Sequence, residues 1–221
     1  ALLPDHIANQ IAAGEVVQRP ESIIKELVEN AIDAGASSII VIVHKAGKQA
    51  IHVIDNGSGM QKDDVILSIQ RHATSKIKTS QDLERISTLG FRGEALASIA
   101  AVSHLEIKTR TSDSEHGWSL TIEPLEEHVL EPCQTDIGTQ VIVKNMFFNV
   151  PARKKFLKSD LVEFRTISET MYRAALSHPE CRFTFYDGDT LVFDVQQSDL
   201  DRKSTRLNSS HEWISRMPSS A

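Results

Sequence analysis

The sequence predicts an α+β fold, a mixed and mainly antiparallel sheet with helices packed on one face. Three observations carry that expectation. An amphipathic pattern over residues 20–34 reads as a helix, two β-branched runs and a later pair of runs around Asp187-Gly188-Asp189 read as hairpins, and helices and strands mix without strict alternation. With 221 residues, 40% apolar and 24% charged, the chain has enough material for one sizeable domain with a real core.

Taken in order, Ile23, Ile24, Leu27, Val28, Ala31 and Ile32 recur at three- and four-residue steps, with Pro20 near the start and Gly35 just past the end. Two strands follow, Ser38 to His44 and Ile51 to Asp55, joined by Lys45-Ala46-Gly47-Lys48 in a hairpin turn. Asn56-Gly57-Ser58-Gly59 makes a loop, and Lys62 to Ile69 a short helix. Between Gln70 and Glu94 apolar residues are sparse and glycines interrupt any period, so a long functional loop is expected there. Glu94 to Ala101 is helical, followed by strands at Leu105 to Thr111, Trp118 to Glu123 and Thr139 to Lys144. Pro151 to Leu157 and Val162 to Leu176 read as helices. Arg182 to Tyr186 and Thr190 to Val195 close the pattern as a hairpin around Asp187-Gly188-Asp189.

Composition excludes several classes. A formal charge of −6 argues against nucleic-acid binding by bulk positive charge. Cys133 and Cys181 alone cannot form a disulfide scaffold and suit a reduced compartment. No run of eighteen apolar residues exists and the start lacks a signal-peptide pattern, so the expectation is a soluble cytoplasmic or nuclear protein, neither secreted nor in a membrane. The chain also starts without Met, as expected of a processed or trimmed product. From Asp201 the composition shifts to a Ser-rich segment of net charge +2, leaving −8 on residues 1–200. Residues 1–200 are therefore expected to form the domain, and 201–221 a disordered tail that resembles translated cloning sequence.

Four motifs could carry chemistry. Glu26, Asn30 and Asp33 stand at i, i+4 and i+7 on the first amphipathic helix, which places them on one face. That is either a solvated stripe or a carboxylate that activates water beside an amide oxygen suited to Mg²⁺. Asp55-Asn56-Gly57-Ser58-Gly59 ends a strand with a carboxylate and two glycines. It is either a plain Asx turn or an acceptor for an exocyclic amine such as that of adenine. Gly90-Phe91-Arg92-Gly93-Glu94-Ala95-Leu96 opens a helix, either as a simple loop or as an anion cradle. Gly138-Thr139 enters a strand. The chain holds neither a P-loop nor a G-x-G-x-x-G after a strand, and its histidines lack metal-ligand spacing.

In that order, and with NQIAAGEVV at residues 9–17, KELVENAIDAGA at 25–36, DNGSGM at 55–60, RHATSKI at 71–77, GFRGEALASI at 90–99 and FNVPARKKFL at 148–157, the chain resembles the N-terminal ATPase module of the MutL family of DNA mismatch repair proteins. The superfamily also holds type II topoisomerase ATPase subunits, chaperones and histidine kinases. The resemblance runs from about Leu3 to about Leu200 and implies a Bergerat-type ATP-binding sandwich using ATP and Mg²⁺. It implies that Glu26 is the general base, that Asn30 ligates Mg²⁺, and that Glu29 and Asp33 support them. Asp55 would read the adenine amino group with help from Thr139, and Gly59 and Met60 would line the base and sugar pocket. Thr74, Ser75 and Lys76 would lie near the phosphates, which Gly90, Arg92, Gly93, Glu94, Ala95 and Leu96 would grip. It further implies slow hydrolysis that gates association of two such modules, together with a mismatch-recognition protein and downstream repair enzymes as partners. In the family a second small domain follows and gives a lysine to the γ-phosphate. Arg153, Lys154, Lys155 and Lys158 are either a solvated basic face or a contact for DNA without sequence preference. Alternatives are a nucleotide-gated scaffold with negligible hydrolysis and an ATPase module of another superfamily member.

Overall fold

The computed structural model of the protein describes residues 5–70, 94–123 and 126–197. Its helices are α1 (Asp5–Val16), α2 (Pro20–Asp33), α3 (Lys62–Ser68), α4 (Ala95–Ala100), α5 (Pro151–Phe156) and α6 (Asp160–Ser177). Its strands are β1 (Ser38–His44), β2 (Ala50–Asp55), β3 (His104–Arg110), β4 (Gly117–Ile122), β5 (Val129–Cys133), β6 (Gly138–Lys144), β7 (Arg182–Asp187) and β8 (Thr190–Val195). All eight strands join one sheet in the order β5-β4-β3-β6-β2-β1-β7-β8. Every pairing is antiparallel except that of β1 with β7. The expected α+β class and its mainly antiparallel sheet are what the chain forms.

Period-two alternation puts one set of residues on the helix side of the sheet. Ile39, Val41 and Val43 of β1 are buried, and across the ladder so are Ile51, Val53, Val141, Val143, Leu105, Ile107, Phe183 and Phe185. Helix α2 covers this surface with Ile23, Ile24, Leu27, Val28 and Ala31, the stripe that its sequence spacing predicts. The helix ends in a Schellman motif: Gly35, at φ +72°, donates its N–H to the Ile32 carbonyl at 2.9 Å, and Ala36 donates to Ala31 at 3.1 Å.

Two elements were not expected from the pattern. Helix α1 carries few large apolar residues and a mid-helix glycine; it packs through the small, fully buried Ala13. It lies against α4. Strand β5 holds Pro132 and is mostly exposed, as an edge strand permits because its outer side needs no N–H donor. The expected long loop and the tail at 201–221 lie outside the described residues. No helix among the described residues is long and apolar enough to cross a membrane.

At the β1–β2 turn end of the sheet, α2 is anchored to α6. Glu163 is fully buried and accepts the Lys158 N–H at 2.8 Å. Its Oε2 has no hydrogen bond among the described residues, and the Arg19 Nε stands 3.3 Å away with 32% of that side chain exposed. Glu163→Ala would strip both the Lys158 amide and Arg19 of their partner. Because Arg19 can turn to water, the loss should be about 2–4 kcal/mol rather than more, read as a lower urea midpoint at unchanged slope.

Candidate nucleotide site

The opposite end of the sheet, where β2 finishes at Asp55, brings four chain segments together. Asn56 stitches the loop after β2 to the turn after α2: its Oδ1 accepts the N–H groups of Ser37 and Ser38, each at 2.9 Å, and its Nδ2 donates to Ser37 Oγ at 2.9 Å. Ser58 adds an N–H bond to the Ala34 carbonyl at 2.9 Å. These bonds hold the C-terminal half of α2, with half-buried Glu26, Asn30 and Asp33 on one face, beside the Asp55 loop.

Asp55 forms the Asx turn of the plainer reading and adds a bond across to β6. Its Oδ1 accepts Gly57 N–H at 2.8 Å, which is an Asx turn, and also Thr139 N–H at 3.3 Å from β6. Its Oδ2 has no hydrogen bond among the described residues and remains an acceptor fixed in direction. Burial pushes this carboxyl above the ordinary aspartate range, and the two backbone N–H groups oppose that rise in part. No cation is paired with it among the described residues.

Two glycines allow the crossing. A Cβ at Gly59, which sits at φ +68°, would collide with the Arg110 carbonyl, and one at Gly138, at φ +117°, would collide with the Asp55 carbonyl. Close backbone approach and a left-handed conformation are both required there.

The residue that the sequence reading missed is Thr109. It is fully buried at the end of β3, donates or accepts with Thr139 Oγ1 at 3.0 Å, bonds the Gly138 carbonyl at 2.9 Å and accepts Met60 N–H at 2.9 Å. One hydroxyl thus joins Gly138, Thr139 and Met60. Its only sequence signal was a threonine on the core-facing side of a strand otherwise filled by Leu105 and Ile107, a buried hydroxyl that must find partners.

Glu26 has no hydrogen bond or ion pair among the described residues, whereas Glu29 pairs with Lys25 at 3.8 Å on the same helix. Glu94, Ala95 and Leu96 stand half-buried at the start of α4, and the Glu94 carbonyl accepts Ser98 N–H at 2.8 Å. Thr74, Ser75, Lys76, Gly90, Arg92 and Gly93 lie outside the described residues. The basic cluster is at the other end of the sheet. Lys154, Lys155 and Lys158 are exposed beside the β1–β2 turn, whose Lys48 pairs with Asp160 at 2.8 Å, while Arg153 turns inward against α1.

A helix-borne carboxylate and amide, an Asp-x-Gly-x-Gly loop after a strand, and a threonine of the neighbouring strand bonded to that aspartate meet at one end of this mainly antiparallel sheet, and the chain as a whole is an ATPase of one particular class. Residues 18–145 match the model of the histidine kinase-, DNA gyrase B- and HSP90-like ATPases, and the chain belongs to that family. Within it the likeness is to the ATPase module of MutL, the DNA mismatch repair protein. MutL of Parabacteroides distasonis is 53% identical over 202 residues, 91% of this chain and 33% of the relative. MutL of Chlorobaculum tepidum is 52% identical over 200 residues, 90% and 32% respectively. The chain spans about a third of the length of these relatives. The Aquifex aeolicus MutL ATPase domain, solved with ADP, matches at TM-score 0.70 and 29% identity over 88% of this chain and 70% of that one. The N-terminal domain of a DNA repair protein matches at TM-score 0.71 and 26% identity over 90% and 59%.

Thr109→Val keeps the shape of the side chain but leaves the Met60 N–H without its acceptor. A loss of about 1–3 kcal/mol is expected, appearing as weaker binding of an ATP analogue by calorimetry. Gly138→Ala, which forces a methyl group into the Asp55 carbonyl, should remove measurable binding altogether.

Proposed function

We propose that this module binds Mg-ATP and hydrolyses it slowly, and that the nucleotide gates dimerisation, DNA contact and partner interactions in mismatch repair. The observation that carries this reading is the Asp55 carboxylate, with one oxygen held by two backbone N–H groups and the other left to accept the adenine amino group. Thr139 and Thr109 fix its surroundings, and Gly59 and Met60 form the wall beside the base and sugar.

Glu26 is the general base: a half-buried carboxylate, unpaired among the described residues, is suited to take a proton from the water that attacks the γ-phosphate. Asn30, one turn further on the same face, offers a neutral hard oxygen that fits Mg²⁺ completed by phosphate oxygens and waters, with Asp33 in a supporting role. Bound there, Mg²⁺ would offset phosphate charge. Thr74, Ser75, Lys76, Gly90, Arg92, Gly93, Glu94, Ala95 and Leu96 are proposed to surround the phosphates, with closure rather than chemistry limiting the rate. ATP favours closure only as far as it binds the closed form more tightly than the open one.

DNA without sequence preference would meet the exposed Lys154, Lys155 and Lys158, with salt-sensitive affinity. A mismatch-recognition protein and downstream repair enzymes are the proposed partners, in the cytoplasm of a bacterium or the nucleus of a eukaryote. Residues 1–200 would form the module and 201–221 an extraneous tail.

Glu26→Ala should lower turnover about 100-fold or more while leaving ATP-analogue affinity near that of the parent, and unchanged release of ADP would remove Glu26 from the role of base. Asp55→Asn should lose nucleotide binding without losing stability, since the amide keeps an oxygen for Gly57 and Thr139 and removes a charge that burial disfavours.

The pH dependence follows from the same carboxylate. Only the ionised form keeps the second oxygen free of a competing proton to accept the adenine amine, and its folded-state pKa is raised. Affinity should therefore be full at neutral pH and fall on acidification, beginning above the pH at which an exposed aspartate titrates. The Asp55 contribution to stability of the free module should move the other way, rising as the pH drops through the Asp55 pKa, opposite in sign to that of the ion-paired Glu106 and Asp194, whose values are lowered. Parallel titrations of analogue affinity and urea stability, with Asp55→Asn as the control, would separate the two.

A further inference from the structure

Arg153 is the member of the basic cluster that faces the protein. Its guanidinium occupies the place that a Cβ at Gly14 of α1 would take. Its Cζ lies 6.0 Å from the centroid of the Phe147 ring, and its Nη2 is 3.5 Å from the Ile11 carbonyl of α1. Nη1 is buried and has no hydrogen-bond partner among the described residues. A buried guanidinium N–H without an acceptor costs free energy, so packing must sustain this position.

The packing leads to α4. Phe147 is fully buried with its backbone at φ +59°, a left-handed conformation that its surroundings must enforce. Its N–H donates to the Val102 carbonyl at 2.7 Å, and Asn149 Nδ2 donates to the Ala101 carbonyl at 3.0 Å. Both acceptors follow directly on α4, and α1 packs along that helix. Arg153, Phe147 and Asn149 therefore close a bracket around α1 and the C-terminal end of α4. The other end of α4, at Glu94, Ala95 and Leu96, is the end assigned above to the phosphates.

We propose that Arg153 is a positioning residue for the phosphate half of the nucleotide site, holding α1 against α4 so that the start of α4 stays where phosphates bind. The inference rests on the assignment of that helix start to the phosphates. The adenine half is built from Asp55, Thr109 and Thr139, none of which touches the bracket. Loss of Arg153 should then weaken ligands that carry phosphates and spare those that carry none.

The test uses the full chain and its Arg153→Ala, Arg153→Lys and Gly14→Ala variants, titrated with adenosine and with a non-hydrolysable ATP analogue in Mg²⁺. Arg153→Ala should weaken the analogue about tenfold or more at unchanged adenosine affinity, as displacement of a positioned helix requires. Gly14→Ala should reproduce this, because the methyl group expels the guanidinium from the other side. Arg153→Lys should fail to restore affinity, since a point charge lacks the planar fork that fills the gap. Gly14→Ala is decisive: without the contact, alanine in a helix is the more stable residue, so any loss it causes reports the Arg153 contact. Equal weakening of both ligands, or a Gly14→Ala variant that binds the analogue as the parent does, would overturn the proposal. If Arg153→Ala shows no cooperative thermal transition, the other two variants decide. A parent chain that binds neither ligand overturns the nucleotide reading and this inference together; a parent that binds both beside unaffected variants overturns this inference alone.

Discussion

The nucleotide end of the molecule depends on chain segments approaching one another more closely than side chains permit. The start of β6 runs over the Asp55 carbonyl, and the loop after β2 presses on the Arg110 carbonyl, at Gly138 and Gly59. Once the backbones are that close, one carboxylate oxygen can receive N–H groups from two segments, and the Thr109 hydroxyl can receive a third while bonding β6. Direction is what this crossing provides. An aspartate on an ordinary strand end would sample several rotamers, whereas Asp55 is held so that its second oxygen points one way. The desolvation it suffers in that position is offset in part by the two backbone N–H groups.

The same crossing makes α2 the shared wall of core and site. Its inner stripe fills the helix side of the sheet, its polar stripe carries Glu26, Asn30 and Asp33, and Asn56 fastens its end to the Asp55 loop. Packing of the inner stripe sets the rotation of the helix, and rotation sets where the polar groups point. At its far end the helix is held by Arg19 and the buried Glu163, remote from any chemistry.

Local pattern made much of this legible. The α2 stripe, its Pro20 start and Gly35 stop, the β1–β2 and β7–β8 hairpins and the Asp-x-Gly-x-Gly loop are all short-range features, and each lies where spacing puts it. What escaped was decided by tertiary contact. Helix α1 buries alanine rather than leucine, so its face is visible only with α4 beside it. Strand β5 contains a proline that an edge position tolerates and a central one would not. Thr109 reads as a polar residue in a core strand until β6 brings Thr139 across from it. Arg153 reads as one more surface cation among lysines, and only the absence of a side chain at Gly14, on a helix far away in sequence, shows where it goes.

The parallel pairing of β1 with β7 has a consequence for how the chain folds. β1 is complete early in synthesis, yet its second neighbour arrives only when Arg182 to Asp187 emerge, after every other strand but β8. Until then β1 is an open edge of a hydrophobic sheet, and α6, which shares the Glu163 anchor with the start of α2, is only just in place. Such long-range closure slows folding and exposes apolar strand edges meanwhile. In chain order, then, the segments at the Asp55 end precede the strand that closes the sheet, and β1 keeps an open apolar edge until β7 pairs with it.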